Sequence, residues 1–512
     1  MRRHALLQGL FCAGILLGVS GCRHAVQHDT RTVTVLIESS PTSLDPRVGV
    51  DAQSEHIDML LFDALVRKDA YFQLQPDLAQ SWETPDPLTY IFHLRTDVHF
   101  HNGQLLTARD VVWTLESMRN GTVITPKASA LASIDRMETP NAHTVILHLH
   151  HADASLLWNL SDGATGIVPY GSGQDFQQHP IGTGPFRFVR QEVDKEVVLE
   201  RNPQAWSGVP AIQTLRFAVV PDAMTRALEL QKGSADVAVN AFPADMAWSL
   251  RHNPHLVVAS VPGNNVQYIT FNLRDPYLRH VRVRRAIAAA INRPLIIAAL
   301  LHGQARLAQS LLPPEHWAYA AGGDPIVYDP TRARMLLDEA GFAAGVDGIR
   351  FHLQMKTSTD ETARLFSMVL QQELRQVGIA LDIQSYEFAT FYADISQGRF
   401  GIYSLRWIGG NEDPDIFRYA LATASEPPHG ANRGDYSNRE VDALLQQAVE
   451  ETDIVQRRAA YAQVQAIMAR ELPVLPLWYT NSEVIYNRRL TGITPAPSGS
   501  FDFLRTAGIL QQ

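Results

Sequence analysis

Polar and apolar residues alternate over short segments near the start of the chain, while longer segments follow a helical repeat. The segment RTVTVLIES places three β-branched residues, at positions 33, 35 and 37, on one face, which predicts a half-buried strand. Further along, Thr107 and Asp110 have the spacing of a capping box, which predicts a helix that runs to Arg119. Both kinds of element therefore occur in the first half of the chain.

The second half contains a clearer pattern of strand, helix and strand. One face of the first strand carries apolar residues at positions 349, 351, 353 and 355. A helix from about Asp360 to Val377 follows, and Gly378 suits the left-handed position just after a helix end. Apolar residues then alternate again at positions 379, 381 and 383. This order predicts a βαβ unit with parallel strands and a right-handed crossover.

Three more helices have recognisable first residues. Asp329–Pro330 suits the N-cap and first helical positions, and Gly341 suits the end of that helix. Ser437 and Glu440 have capping-box spacing ahead of an amphipathic stripe, and Asp453 opens a further helix. We expect the apolar stripes of these helices to face a protein core.

Length and charge narrow the class of protein. A chain of 512 residues with 46% hydrophobic and 19% charged residues is too long for one core, so two or three globular domains are expected. The formal net charge is −9 and only five of the basic residues are lysines. A chain this acidic, without a polybasic patch, has no general attraction to nucleic acid.

The first 22 residues read as an export signal. Two arginines precede an apolar run from Leu6 to Val19, and the segment ends in VSGC, which resembles a bacterial lipobox. We expect residues 1–21 to be a lipoprotein signal peptide and Cys22 to become the lipidated first residue. An ordinary cleaved signal or an N-terminal membrane anchor is the alternative. Since Cys12 is the only other cysteine, the mature chain would contain no internal disulfide.

Motifs for catalysis are absent from the sequence. It contains no GxxxxGK[ST] loop, no GxSxG turn and no HExxH helix, so we expect neither an enzyme nor a bound cofactor. Two histidine pairs, His99 with His101 and His148 with His150, have the spacing of one strand face. Such a pair could chelate a metal ion or face solvent, and no third ligand lies near either pair.

Residues 76–118, PDLAQSWETPDPLTYIFHLRTDVHFHNGQLLTARDVVWTLESM, resemble family 5 of the bacterial extracellular solute-binding proteins. Other segments resemble this family in the family's own order: SLDP (43–46), GTGPFRF (182–188), VVLERNPQAW (197–206), RFAVVPDAMTRALELQKGSADVAV (216–239), VRVRRAIAAAINRPLI (281–296), YDPTRARMLLDEAGF (328–342), DPDIF (413–417) and YSNREVDALLQQA (436–448). The resemblance thus covers essentially the whole mature chain.

The resemblance implies an α/β fold of the periplasmic-binding-protein, or Venus-flytrap, type. Two α/β lobes would close on a solute, and an extra subdomain would extend the first lobe. The implied boundaries are 22–75, 181–265 and 487–512 for lobe I, 76–180 for the extra subdomain and 266–486 for lobe II. Chain crossings near Gly263–Asp275 and Tyr479–Tyr486 would act as hinges.

The resemblance also implies residues of the ligand cleft. It places Trp407 and Tyr268 beside the solute, together with Ser39 and Ser40 from the loop after the first strand. Lys356 lies where relatives place a base that binds a carboxylate. Core packing is the alternative role for Trp407, and a solvated strand end is the alternative for Lys356.

One position departs from the family. Peptide-binding relatives often have an Asp three residues after the cleft Trp, but this chain has Gly410, followed by Asn411. Glu412 and Asp413 are the candidate substitutes, and the alternative role of Asp413 is that of a turn residue before Pro414. We therefore expect a ligand whose carboxylate matters more than its ammonium group, such as an N-blocked peptide or a chelate.

The predicted function is that of an extracytoplasmic lipoprotein that delivers a peptide-like or other polar solute to an ABC importer. Its partners would be the small ligand, the permease subunits and the membrane through the lipid anchor, and the protein would be a monomer in the periplasm or cell envelope. A receptor for a metal chelate such as nickel, a ligand sensor and a secreted hydrolase are the alternatives.

Overall fold

The computed structural model describes residues 31–510, except residues 70, 162, 164, 321, 324 and 408–412. Cys22, Gly410, Asn411 and Glu412 lie outside the described residues. Within the described part of the chain, no helix combines the length and the hydrophobicity needed to cross a membrane.

The elements follow one another in three groups before the chain enters its second half. The first group is β1 (Thr32–Ile37), α1 (Ala52–Leu61), β2 (Val66–Lys68) and β3 (Leu74–Pro76). The second is β4 (Ala79–Asp86), β5 (Thr89–Leu94), α2 (Ala108–Arg119), β6 (Ile134–Asn141), β7 (Thr144–Leu149) and α3 (Leu156–Asn159). The third is β8 (Phe186–Glu192), β9 (Glu196–Arg201), β10 (Thr214–Val219), α4 (Ala223–Lys232), β11 (Val237–Val239), α5 (Ala244–Leu250) and β12 (Leu256–Val261).

Two further groups complete the chain. The larger is β13 (Val266–Phe271), α6 (Val281–Ala290), α7 (Arg293–Leu300), β14 (Ala305–Leu307), α8 (Pro330–Glu339), β15 (Phe351–Ser358), α9 (Glu361–Arg375), β16 (Ile379–Tyr386), α10 (Phe388–Ser396), β17 (Ile402–Trp407), α11 (Ile416–Leu421), α12 (Arg439–Glu450), α13 (Ile454–Glu471) and β18 (Val474–Thr480). The last is β19 (Ser482–Asn487), β20 (Leu490–Thr491) and β21 (Gly508–Ile509). Short 3-10 helices lie at Pro126–Leu131, Phe176–Gln178, Thr423–Ser425 and Asp502–Arg505.

The first lobe is built on a seven-stranded sheet. Its strand order is β12-β19-β11-β1-β10-β9-β8, and β1 is parallel to both of its neighbours. The predicted strand at positions 33–37 is therefore confirmed, but the prediction that it is half-buried is wrong: as a central strand it is covered on both faces, and Thr34 and Leu36 are buried as well. Its side chains at positions 33, 35 and 37 are almost completely buried in the lobe's core.

A four-stranded antiparallel sheet of order β4-β5-β7-β6 extends the first lobe. Helix α2 packs on this sheet through Val111 and Leu115, which belong to the same hydrophobic core as Phe92. The predicted capping box is confirmed, because the Asp110 carboxylate accepts a hydrogen bond of 2.8 Å from the Thr107 backbone N–H.

The second lobe contains a six-stranded sheet of order β14-β18-β13-β17-β15-β16. As predicted, β15, α9 and β16 form a βαβ unit whose strands are parallel from Phe351 opposite Ile379 to Ser358 opposite Tyr386. Gly378 has φ +90°, the left-handed conformation that a glycine after a helix adopts without strain. Hydrophobic cores cover both faces of this sheet.

The lobes are joined by two short chain crossings. The first is residues 262–265, between β12 and β13, and the second is the single residue Asn481, between β18 and β19. They lie against each other, because the Thr480 N–H donates to the Asn265 carbonyl over 2.9 Å. A Cβ on Gly263 would come within 2.3 Å of the Thr480 carbonyl oxygen, so this contact requires a glycine.

The position of β19 corrects one expected lobe boundary. The expected boundary keeps residues up to 486 in lobe II, yet β19 pairs with β11 and β12 of the first sheet. The chain has therefore already returned to the first lobe at Ser482. Because β18 and β19 form one nearly continuous extended run, their sequences contain no turn signal that would have marked the return.

One predicted helix cap is also wrong. The N-cap of α12 is Asn438 rather than Ser437, and its side chain accepts hydrogen bonds from the backbone N–H groups of Glu440 and Val441. The Ser437 hydroxyl instead accepts a 3.0 Å hydrogen bond from Thr423 Oγ1. Both residue types are good N-caps, so the sequence alone could not separate these neighbours.

Candidate functional site

The carboxyl ends of strands from the two lobes approach each other beside the chain crossings. Strand β1 of the first lobe ends at Ile37 and is followed by Glu38, while β17 of the second lobe ends with Arg406 and Trp407. Trp407 pairs in register with Val266, the first residue after the crossing 262–265. Ligands of open α/β sheets bind beyond the carboxyl ends of the strands, so this interlobe cleft is the candidate ligand site.

Trp407 lies in an aromatic cluster on one face of the second-lobe sheet. Its ring centre is 5.8 Å from that of Tyr268 and 5.9 Å from that of Tyr419. Tyr268 is buried, and this burial raises the pKa of its phenol, so the group remains neutral. The two predicted aromatic residues are thus in contact, and Trp407 remains partly exposed beside the cleft.

Arg406 lies on the opposite face of the same strand and was not singled out in the sequence. Its side chain is exposed to solvent, yet the surrounding protein lowers its pKa by desolvation, an effect that the charges of Asp360 and Glu38 partly offset. Arg406 lies at the end of β17, next to the chain crossing at residues 262–265.

Ser39 and Ser40 occupy the predicted loop after β1. Ser39 is exposed, and the Ser40 hydroxyl accepts a 2.7 Å hydrogen bond from the Asp194 backbone N–H. This bond ties the loop to the turn between β8 and β9. The loop follows the carboxyl end of β1, the end of a strand at which ligands of open α/β sheets bind.

Lys356 does not lie at a solvated strand end. It lies within β15, is 6% exposed, and its ammonium group donates to the Asp394 carboxylate, which Arg399 also contacts. The ammonium nitrogen is also 5.0 Å from the ring centre of Tyr386. Lys356 is thus already paired within the second lobe and lies opposite Tyr403, away from Trp407 along the sheet.

Asp413 is the partner of a buried arginine. Both of its carboxylate oxygens accept hydrogen bonds of 3.2 Å from Arg457, whose side chain is 2% exposed. Burial by itself would lower the pKa of Arg457, but Asp413, Tyr461 and Asp415 together raise this pKa above its ordinary value. Asp413 also accepts a 2.6 Å hydrogen bond from the Asp415 N–H, as its alternative role as a turn residue predicted.

Arg457 marks a second contact between the lobes. Its guanidinium carbon is 5.0 Å from the ring centre of Trp158 in α3 and 5.4 Å from that of Trp317 in the second lobe. The two indole rings are 5.8 Å apart. A backbone hydrogen bond of 2.8 Å from the Ala154 N–H to the Val449 carbonyl lies beside them. The extra subdomain therefore contacts lobe II directly.

The histidine pairs do not form the expected strand faces. His101 follows the isolated bridge at His99, and its ring bonds to the backbone of residues 182 and 184. His148 and His150 lie 3.2 Å from Glu138 and 3.5 Å from Asp135, and only His148 belongs to β7. Among the residues that the structure describes, no group of three or more His, Cys, Asp or Glu side chains could hold a metal ion.

Known proteins share both the sequence and the fold of this chain. The family model described as bacterial extracellular solute-binding proteins, family 5 middle, matches residues 73–428. Di/tripeptide-binding protein 1 of Pseudomonas aeruginosa is 29% identical over 511 residues, which cover 93% of this chain and 94% of the relative. The dipeptide-binding protein of Escherichia coli is 26% identical and covers 98% of this chain, with 99% of the relative matched.

Solved structures agree with this relationship. NikZ of Campylobacter jejuni, crystallised with Ni(L-His), superposes with a TM-score of 0.78 at 25% identity and covers 93% of this chain and 98% of its own. The two-lobed fold, the interlobe cleft and the family match over more than half of the chain all indicate the same family. The chain belongs to the bacterial extracellular solute-binding proteins of family 5.

Proposed function

We propose that the protein captures a short peptide or peptide-like solute outside the cytoplasm and delivers it to the permease subunits of an ABC importer. The observation that carries this proposal is the interlobe cleft, where β17 of one lobe ends at Trp407 beside the chain crossings and β1 of the other lobe ends at Ile37. An aromatic surface gives a peptide sequence-tolerant contact. The relatives named above bind dipeptides and tripeptides, which supports this ligand class.

Capture would proceed by closure of the two lobes about the crossings at residues 262–265 and Asn481. Two adjacent crossings of this length permit a hinge motion while they keep the strand ends on either side in register. Small-angle scattering of the protein with and without a saturating ligand tests this motion, and we expect the radius of gyration to decrease. An unchanged radius at saturation would contradict closure.

We propose that the protein acts as a monomeric lipoprotein held at the membrane through Cys22. The support is the VSGC ending behind an apolar run, since two acyl chains on one residue are sufficient for stable anchoring. Metabolic labelling with palmitate should mark the wild type and leave Cys22→Ser unmarked. Equal labelling of both proteins would contradict lipidation at this residue.

Mass spectrometry of the solute released from the denatured, purified protein tests the ligand class directly. A short peptide is the expected result. A nickel chelate would instead support the alternative receptor function, for which the Ni(L-His) complex of NikZ is the precedent. In calorimetry, free and N-acetylated forms of one peptide should bind with similar affinity, because Gly410 has no charge with which to hold an α-ammonium group.

A further inference from the structure

Phe72 is a buried aromatic residue on an otherwise exposed turn. It lies between β2 and β3, where its neighbours Tyr71 and Gln73 are exposed, yet only 5% of Phe72 is accessible to solvent. None of the five hydrophobic cores formed by the described residues includes it. The ring must therefore be covered by a part of the chain outside those cores.

The second lobe provides this cover. The ring of Phe72 stacks on that of His316, with 5.3 Å between the ring centres and 24° between the ring planes. His316 is itself 3% exposed, and its Nδ1 accepts a 3.1 Å hydrogen bond from the Ala318 N–H, which fixes the ring. The adjacent Trp317 ring lies 5.6 Å from His316 and contacts Trp158 of the extra subdomain. Two neighbouring rings on the first-lobe side thus pack against the second lobe.

The backbone of Phe72 has an unfavourable conformation. Its φ of +62° lies in the left-handed region, which costs free energy for a bulky residue and which a glycine adopts without strain. The turn enforces this conformation, because one carboxylate oxygen of Asp69 accepts hydrogen bonds of 2.8 Å and 3.0 Å from the N–H groups of Tyr71 and Gln73. The Phe72 N–H donates to the Asp69 carbonyl over 3.0 Å. The strained residue is therefore the one whose side chain reaches the other lobe.

Burial of this ring is linked to the arrangement of the lobes. If the lobes open about the crossings as proposed, Phe72 separates from His316 and its ring becomes exposed to water. Closing then gains the free energy of burying an aromatic side chain. A contact that forms only in the closed arrangement raises the affinity for any solute that binds this arrangement.

We infer that Phe72 is a closure latch, that is, a residue outside the cleft whose burial by lobe II holds the lobes together and slows release of the solute. This inference rests on the proposed function and adds to it a residue that retains the solute without touching it. It also gives a role to a strained aromatic residue in a turn where a glycine would have no strain.

The test measures the affinity and the dissociation rate of a panel of dipeptides and tripeptides by calorimetry and stopped-flow mixing. Phe72→Gly removes the ring and suits the left-handed backbone, so it should bind these peptides about 10- to 100-fold more weakly and release them faster. Phe72→Leu should retain part of the affinity. Tyr71→Ala is the matched control, because Tyr71 is 61% exposed, and it should bind as the wild type does.

Denaturant unfolding without peptide separates a latch from a merely structural residue. Because glycine relieves the backbone strain, Phe72→Gly should unfold at a denaturant concentration close to that of the wild type. Should Phe72→Gly fail to fold, Phe72→Leu serves for the same comparison. Wild-type affinity in the Phe72 variants would overturn the latch, and a lowered unfolding midpoint in that case would show that the contact persists when the lobes open.

Two further outcomes complete the test. Equal losses of affinity in Phe72→Gly and Tyr71→Ala would overturn the latch and leave peptide capture intact. If the wild type bound no peptide of the panel, the proposed function would be overturned and this inference with it.

Discussion

The guanidinium of Arg457 in lobe II packs against the indole ring of Trp158 in the extra subdomain, with 5.0 Å between the guanidinium carbon and the ring centre. The contact joins elements that belong to different lobes. It is supported by Trp317 on the other side and by the Ala154–Val449 backbone hydrogen bond. If the lobes open about the crossings as proposed, we expect these groups to separate, and their attraction should then favour the closed arrangement.

Trp158→Ala should therefore weaken ligand binding without a change in the cleft itself. A desolvated cation–π contact contributes about 2 kcal/mol, which corresponds to roughly 30-fold in affinity. Calorimetry with a peptide that the wild type binds measures this loss. Trp113→Ala is the matched control, because Trp113 packs on Tyr170 within the first lobe and its removal should leave affinity unchanged. Equal losses in both variants would show that the contact has no role in closure.

Arg457→Ala should lower the free energy of unfolding by about 3–5 kcal/mol. Asp413 would remain in a partly buried site without its cation, and breaking one side of a buried pair carries a cost of that size. Denaturant unfolding measures the change. The neighbouring Arg458 is exposed, so Arg458→Ala should stay within about 0.5 kcal/mol of the wild type. Similar values for the two variants would contradict a structural role for the pair.

Lys356→Met should reduce stability more than it changes ligand affinity. The ammonium group of Lys356 is paired with Asp394 inside the second lobe, and the substitution leaves this carboxylate with Arg399 alone. We expect a lower melting temperature and the same affinity as the wild type for a peptide that the wild type binds. A loss of affinity in Lys356→Met without a change in melting temperature would instead place Lys356 in contact with the ligand.

Stability should fall in mildly acidic solution because of His101. Its Nδ1 accepts a 3.2 Å hydrogen bond from the Gly182 N–H and its Nε2 lies 3.0 Å from the Gly184 carbonyl, so the native ring is neutral. Burial lowers the pKa of His101 below the ordinary 6.5, partly countered by its bond to Gly184. As the pH falls below about 6.5, His101 binds a proton in the unfolded chain but not in the native state. The free energy of unfolding therefore decreases until the pH reaches the native pKa of His101.

The measurement is the free energy of unfolding between pH 7.5 and pH 5, two values chosen to bracket about 6.5. One histidine contributes at most about 1.4 kcal/mol per pH unit. His101→Gln should flatten this part of the profile, whereas His99→Gln should not, because His99 is exposed. A profile for His101→Gln that matches the wild type would contradict the assignment.

Local patterns predicted local structure well. The β15–α9–β16 unit followed from residues within one segment, because the apolar repeat, the cap at Asp360 and the glycine after the helix all act over a few positions. In α12, however, the predicted N-cap Ser437 is wrong by one residue, because the neighbouring Asn438 has a similar capping ability. The expected crossing Tyr479–Tyr486 contains Asn481, but the lobe boundary after residue 486 is several residues too late, because two consecutive strands in different sheets look alike in sequence.

Long-range pairing explains what the sequence missed in the site. Lys356 pairs with Asp394, which is 38 positions away in the sequence, and Arg457 pairs with Asp413, which is 44 positions away. Neither pair can be predicted without the fold.

The return of β19 to the first sheet determines the order in which the lobes can be completed. All six strands of the second sheet come from the continuous segment between residues 266 and 480, so that lobe has its full set of strands without either chain end. The first sheet instead needs β19 to connect β12 to β11. As the chain emerges from its amino end, the lobe that begins first is therefore finished last. A truncation anywhere before residue 482 removes the strand that connects the edge strand β12 to the rest of a sheet whose other strands are all made earlier.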